Sequence, residues 1–170
     1  EPWTGRLLVT TSDIATRFSP DDRFLAFHTI RQSAAGIWRV ASGQECRTFY
    51  DLDDPKYKEP VSVDFHPDGR ILASSGNPGV RLWDLQTARE SGFLPIGLTW
   101  SALFHPADGS LVTSGIQGLH RWPMEIRPDT VHIGPPTALG TTKGLGRASL
   151  SANGRTIAVN VRGDHLLVLN

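Results

Sequence analysis

The stretch VDFHPDGRILASSGNPGVRLWDL, Val63 to Leu85, decides the fold. Its first part contains two short β-rich runs, VSVDF and ILASS, separated by Pro-Asp-Gly, which is a strong turn signal. Asp-Gly readily adopts the positive φ angles that a tight hairpin turn needs. Its last part, GVRLWDL, alternates large apolar and polar residues, as a half-buried strand does. The stretch therefore predicts three short strands joined by turns.

The same pattern occurs four times along the chain. The hydrophobic residue that precedes the first turn recurs at intervals of 47, 39 and 46 residues, at Phe18, Phe65, Phe104 and Leu150. WD-type propeller repeats recur at about 40–45 residues. A tryptophan follows the first three of these positions, at Trp38, Trp83 and Trp122, and we expect it to pack between sheets. Val168 takes this place in the fourth copy.

These residues resemble the WD-repeat β-propeller family, most closely over Val63 to Asp84. The resemblance implies an all-β fold with four repeats of four short antiparallel strands, approximately residues 4–40, 41–85, 86–124 and 125–170. In that family each repeat gives the outer strand of one blade and the three inner strands of the next. The first repeat is also similar to those of TolB-type propellers, which remain a fold-level alternative.

The repeats depart from the family pattern at several positions. The Gly-His pair that precedes the inner strand is absent, and Asn77 and Gln117 replace the usual turn aspartate. Trp38 is followed by Arg39, and Trp122 by Pro123, in place of aspartate. The His–Asp–Ser/Thr–Trp hydrogen-bond network of the family is therefore not expected in its usual form.

The number of repeats bears on the size of the ring. Propellers have about 4–8 blades, and the resemblance implies about seven. In the register described above, the chain begins in mid-repeat. We therefore expect the chain to form part of a larger propeller, completed by further blades or by a second copy.

Composition excludes several kinds of partner. The 170 residues include 17 Lys+Arg and 17 Asp+Glu, so the charge is balanced and no nucleic-acid partner is expected. No apolar run reaches the roughly 18 residues of a membrane span, so no membrane partner is expected. Cys46 is the only cysteine, which fits a reducing, cytoplasmic location.

The sequence contains no recognisable catalytic motif. The glycine-rich stretch Gly134 to Arg147 lacks the order of a phosphate-binding loop, because Lys143 follows the threonines and a strand comes next; it predicts a connecting loop.

The six histidines have no metal-ligand spacing, and His66 and His105 occupy the same turn position of two repeats. No GxSxG motif occurs. Most aspartates fall in predicted turns; Asp64, on a predicted strand, is the exception. We predict no catalytic residue, metal or cofactor.

The candidate binding residues lie in two connections. The segment Tyr50 to Pro60 joins an outer strand to the next inner strand, and such loops lie on the face that WD-repeat propellers commonly use for partners. Tyrosine with mixed charge suits a recognition surface, although an ordinary solvated loop is the alternative. Arg31 and Gln32 should lie on the same face. The candidates are Asp54, Lys56, Tyr57, Lys58, Arg31 and Gln32.

The sequence thus predicts a non-catalytic scaffold that presents propeller loops to a protein or peptide. The alternative is a TolB-like propeller that gates or binds substrate for a separate catalytic domain.

Overall fold

A computed structural model describes residues 14–29, 34–40, 44–50, 58–128, 130–140, 142–143, 145–161 and 165–170. Every regular element in these ranges is a β-strand, so none of the described residues forms a helix that could span a membrane. The strands, in chain order, are β1 Ile14–Phe18, β2 Phe24–His28, β3 Ala34–Arg39, β4 Gln44–Tyr50, β5 Lys58–Phe65, β6 Ile71–Asn77, β7 Val80–Asp84, β8 Arg89–Leu94, β9 Thr99–Phe104, β10 Leu111–Gly115, β11 Gly118–Trp122, β12 Met124–Ile126, β13 Val131–Ile133, β14 Thr137–Ala138, β15 Ala148–Leu150, β16 Ile157–Val161 and β17 His165–Leu169.

The strands form four successive antiparallel sheets and one additional hairpin. Sheet 1 contains β1 to β4, and sheet 2 contains β5 to β8, each in chain order. Sheet 3 has the order β14-β11-β10-β9, and sheet 4 contains β15 to β17. The predicted all-β propeller architecture is confirmed, and the described part of sheet 4 has three strands where the others have four.

The turn between the first two strands of each sheet explains the repeated sequence phrase. In every sheet the hydrophobic residue before the turn pairs with a residue seven positions later, as Phe65 pairs with Leu72 and Leu150 with Ile157. A residue with positive φ closes each turn: Asp22, Gly69, Gly109 and Gly154, with φ from 57° to 74°. The Asp-Gly signal therefore indicated the turn for the backbone reason given above.

Apolar layers between consecutive sheets form the core. The layer between sheets 1 and 2 contains Ile37, Phe49, Phe65 and Trp83. The layer between sheets 2 and 3 is formed by Ile71, Val80, Leu82, Ala102, Phe104 and Leu111. Val112, Leu119, Leu145 and Val159 fill the layer between sheets 3 and 4. Strand alternation directs one side-chain set of each sheet to the preceding sheet and the other to the following sheet.

Trp83 confirms the predicted packing role of the repeated tryptophan. It is only 6% exposed, and its ring stacks on Phe49 of sheet 1 with centroids 5.3 Å apart. Its indole Nε1–H donates to Ser74 Oγ at 2.9 Å, so burial leaves no unpaired donor.

The fourth copy has a different register from the predicted one. Trp83 pairs across the sheet with Leu72, whose counterpart in sheet 4 is Ile157; Ile157 pairs with Leu169, and Val168 pairs with Ala158. Leu169, not Val168, therefore occupies the tryptophan position. The loop between β16 and β17 places that position one residue later than sequence spacing from Leu150 indicated.

An inserted hairpin lies between the third and outer strands of sheet 3. Strands β12 and β13 pair only with each other, and β14 then completes the sheet beside β11. The repeat pattern did not predict this insertion. Arg70 of sheet 2 holds its end, donating from Nη1 to Arg127 O at 3.0 Å and from Nη2 to the carbonyl of Pro128.

Candidate interaction face

Most of the predicted binding residues lie outside the described residues. This holds for Arg31, Gln32, Asp54, Lys56 and Tyr57. Lys58 is the first residue of β5, where its backbone pairs with Asn77. These six residues stay a prediction, and the geometry described below belongs to the corresponding connections of sheets 2, 3 and 4.

Each sheet has two opposite ends at which its strands begin and finish. Because neighbouring strands are antiparallel, successive turns and connections alternate between these two ends. We call the end formed by residues 95–98, 116–117, 139–140, 142–143 and 145–147 the loop face; it includes the connections between sheets. The turn face is the opposite end, formed by the turns that follow β1, β5, β9 and β15. The predicted binding residues belong to the β2–β3 and β4–β5 connections or, for Lys58, to the start of β5. The ends of these strands correspond to the strand ends that form the loop face in sheets 2 and 3.

A pocket of about 440 Å³ lies beside sheet 3 and is lined largely by residues of the loop face and its neighbours. Its walls come from the β8–β9 connection, the β10–β11 turn, residues along β10 and β11, the residue before β14 and the β14–β15 connection. The lining residues are Pro95, Ile96, Leu98, Thr99, Thr113, Gly115, Gln117, Gly118, His120, Trp122, Pro136 and Lys143. We call this the Trp122 pocket.

Backbone hydrogen bonds fix the loops around the Trp122 pocket. Gly97 N–H donates to Pro78 O at 2.8 Å, and Ile116 N–H donates to Leu98 O at 3.1 Å. Leu145 N–H donates to Gly115 O at 3.1 Å, and the Leu145 side chain is 1% exposed. The predicted connecting loop from Gly134 to Arg147 thus includes the short strand β14 and a buried leucine anchor.

Two glycines are required where these loops approach each other. A Cβ atom at Gly115 would lie 2.4 Å from Leu98 O, and one at Gly97, which has φ of 76°, would lie 2.8 Å from Ile116 Cδ1. Glycine at both positions lets the loops close around the pocket. Either substitution would force the pocket wall to move.

Trp122 forms one wall of the pocket and has the same hydrogen bond as Trp83. Its indole Nε1–H donates to Thr113 Oγ1 at 2.9 Å. The Trp–Ser/Thr part of the family network is therefore present in sheets 2 and 3 without the family's histidine. In sheet 1, Phe27 occupies the Ser/Thr position and packs edge-on against Trp38 at 5.8 Å. Trp38 Nε1 is buried without a hydrogen-bond partner among the described residues.

The charges in the Trp122 pocket have one sign. Lys143 is exposed and His120 is half-buried, with the His120 ring 6.1 Å from the Trp122 ring. No aspartate or glutamate belongs to the described lining, and no described residue forms an ion pair with Lys143. The pocket therefore combines an apolar wall with a lysine that has no carboxylate partner among the described residues.

Asp64 links three sheets near the turn face. Its carboxylate accepts from Arg17 Nε of sheet 1 at 2.9 Å and from the backbone N–H of Phe104 in sheet 3 at 2.8 Å. Burial raises the pKa of Asp64, against the charge of Arg17 and the Phe104 hydrogen bond. The sequence distinguished Asp64 as a strand aspartate without assigning a role. Its partners lie 47 and 40 residues away, so no local signal could have identified them.

The two repeated histidines join the turns of neighbouring sheets. His105 Nε2–H donates to Gly154 O at 3.2 Å, and the His66 ring lies against Gly109 of the next sheet. Their place in the turns agrees with the prediction. No group of three metal-ligating side chains occurs among the described residues.

Comparisons with known proteins agree with this geometry. Residues 52–84 match the family described as WD40, WD domain, G-beta repeat. The fold is similar to the β-propeller domain of Cps50 (Swd1) from Myceliophteria thermophila, with a TM-score of 0.67 and 16% identity over 94% of this chain and 56% of that chain. A chain in a crystal structure of the mitotic checkpoint complex is similar with a TM-score of 0.71 and 16% identity, over 90% of this chain and 48% of that one. No curated protein sequence matches this chain.

The chain has the β-propeller fold, and residues 52–84 match a WD repeat. It spans about half the length of the two solved chains to which it is similar.

Proposed function

We propose that this chain is a non-catalytic protein-interaction module whose loop face binds a segment of a partner protein. The observation that carries the proposal is the Trp122 pocket, because three connections held by backbone hydrogen bonds form its walls. Concave pockets of about 300–1,000 Å³ with an apolar wall and a few polar groups are typical binding sites. A preformed pocket binds with a smaller ordering cost than a mobile loop.

The similar solved structures support the class of partner. One of them is described as a chain of a mitotic checkpoint complex, and it shares the sheet architecture with this chain. The loop from Tyr50 to Pro60, with Tyr57, Lys56 and Lys58, stays part of the proposal as an extension of the same face.

We further propose that the chain acts within a larger propeller. Leu166 and Val168 of sheet 4 are 62% and 54% exposed. Their counterparts in sheet 2, Val80 and Leu82, are fully buried against the following sheet. A further blade or a second copy of the chain would cover the exposed pair.

Site-specific photo-crosslinking tests the binding face. A photoreactive phenylalanine analogue would replace Gln117 on the loop face or, as a matched control, Asn153 on the turn face; both residues are exposed. We expect discrete protein adducts in cells from position 117 and at least several-fold fewer from position 153. Equal yields from both positions, or adducts from position 153 alone, would contradict the proposed face.

A further inference from the structure

Resting on the proposed function, we propose that the Trp122 pocket recognises an acidic side chain, Asp or Glu, next to an aliphatic side chain in a partner peptide. The charged half of the pocket supports the acidic group. The lining provides the Lys143 ammonium, the Gln117 amide and the His120 ring, and it contains no carboxylate among the described residues. An arriving carboxylate would therefore meet donors and a positive charge without a competing anion.

Of the two threonine hydroxyl groups in the lining, that of Thr99 already donates, whereas that of Thr113 accepts and keeps its own hydrogen as a donor. Thr113 Oγ1 accepts from Trp122 Nε1, and Thr99 Oγ1 donates to Gly97 O at 3.0 Å. The side-chain donors left for a ligand are Lys143, Gln117, His120 and the Thr113 O–H. Lys143 and Gln117 are exposed, whereas His120 is half-buried. The only lysine of the lining is exposed, so the acidic group would bind beside Lys143 on the solvent side of the pocket.

The apolar half of the pocket supports the aliphatic neighbour. Ile96, Leu98 and Trp122 are half-buried, and each keeps part of its surface open to solvent. Exposed Ile116, which packs on Gly97, extends this surface at the rim. Covering such surface with a ligand side chain contributes about 25 cal/mol per Å². The pocket volume of about 440 Å³ suits one or two side chains, not a folded domain surface.

A carboxylate fits this charge set better than a phosphate. Phosphate recognition commonly uses bidentate arginine or several cations, whereas the described lining contains one lysine and no arginine. One ammonium group balances the single charge of an Asp or Glu side chain. A phosphorylated peptide is therefore an alternative that the experiment below separates.

Four peptide pools test the proposal directly. Each pool contains acetylated, amidated nonapeptides with a fixed central pair, Glu-Leu, Gln-Leu, Lys-Leu or phosphoserine-Leu, and the same mixed flanking residues. We expect the full chain to bind the Glu-Leu pool about tenfold more tightly than the Gln-Leu pool, because only the former gains a charge-assisted hydrogen bond. Tighter binding of the phosphoserine-Leu pool would overturn the assignment to a carboxylate.

Reversing the charge of Lys143 then tests whether the peptide binds at the Trp122 pocket. Lys143→Glu should remove the preference for Glu-Leu and favour the Lys-Leu pool. The matched control is Arg155→Glu, which makes the same charge change at an exposed residue of the turn face and should keep the wild-type preference. Equal binding of the Glu-Leu and Gln-Leu pools, or a preference that survives Lys143→Glu, would overturn the inference. Unchanged thermal melts would show that both variants fold.

Tryptophan fluorescence provides an independent test of where the peptide binds. Binding of the Glu-Leu pool should change the emission of the wild type, and Trp122→Phe should lose this change while keeping an apolar ring in the wall. An unchanged signal in Trp122→Phe would place the peptide elsewhere and overturn the proposal. If no peptide pool binds but position 117 gives crosslinks, the recognition of an acidic side chain is refuted and the proposed binding face is retained. Failure of both would refute both.

Discussion

Sheets 2 and 4 place equivalent residues in opposite environments. Leu82 in β7 and Val168 in β17 occupy the same register position, as do Val80 and Leu166. Leu82 and Val80 are 0% exposed because sheet 3 covers them, whereas Val168 and Leu166 are 54% and 62% exposed. The same strand pattern therefore forms a core in one sheet and an open apolar surface in the other.

This difference shows that strand periodicity determines the direction in which a side chain points but does not determine whether the side chain is buried. Alternation determines which side chains point toward the following sheet. Whether that sheet is present is a property of the assembly. Exposed apolar surface marks a site of association when it is extensive, so the further blade or second copy that we propose would pack on Leu166 and Val168.

The largest effect is expected at the centre of sheet 2. Trp83→Ala should lower the free energy of unfolding by about 3–5 kcal/mol, because it removes a buried ring from the layer between sheets 1 and 2. Urea denaturation of the whole chain measures the change. A loss below about 1 kcal/mol would mean that Trp83 contributes little to the core, contrary to its burial.

A matched pair of truncations tests the comparison itself. Leu82→Ala should cost about 2–5 kcal/mol, since it opens a cavity between sheets 2 and 3. Val168→Ala at the counterpart position should change the free energy of unfolding by less than about 0.5 kcal/mol, as is usual for surface substitutions. Similar costs in the two variants would show that another surface covers Val168 in solution.

The smallest effect concerns pH and two aspartates of sheet 2. Burial raises the pKa of Asp64, so the folded state holds this proton more tightly than the unfolded chain does. The wild type should therefore lose stability relative to Asp64→Asn as pH rises through the ordinary value of 3.8 and the raised folded value.

Asp84 provides the matched control, with the opposite sign. Burial opposes its ionisation, but hydrogen bonds from the Thr87 N–H, Arg70 and the Gln86 N–H outweigh that burial and lower the pKa of Asp84. The wild type should gain stability relative to Asp84→Asn as pH rises toward and past 3.8, and lose it as pH falls through the lowered folded value. Urea denaturation across this pH range measures both pairs. If the stability difference between wild type and variant changed with pH in the same direction for both pairs, the opposite pKa shifts of Asp64 and Asp84 would be contradicted.

The sequence predicted the parts of the fold that depend on near neighbours. The turn residues with positive φ, the alternating strands and the burial of Trp83 all follow from short stretches such as Val63 to Leu85. The position of the fourth-copy hydrophobe was wrong by one residue, because spacing alone does not determine loop length between β16 and β17. The hairpin β12–β13 was missed, since an insertion has no counterpart in the repeat pattern.

Local sequence by itself determined the repeat, its turns and the direction in which its side chains point, because these depend on residues within about one repeat. Only the tertiary structure decided which groups meet across sheets. It brought Arg17, Asp64 and Phe104 together, and it left Leu166 and Val168 uncovered among the described residues. It also placed Lys143 and Trp122 in one pocket whose described lining contains no acidic residue. Such contacts depend on how whole sheets pack, and no short stretch of the chain contains that information.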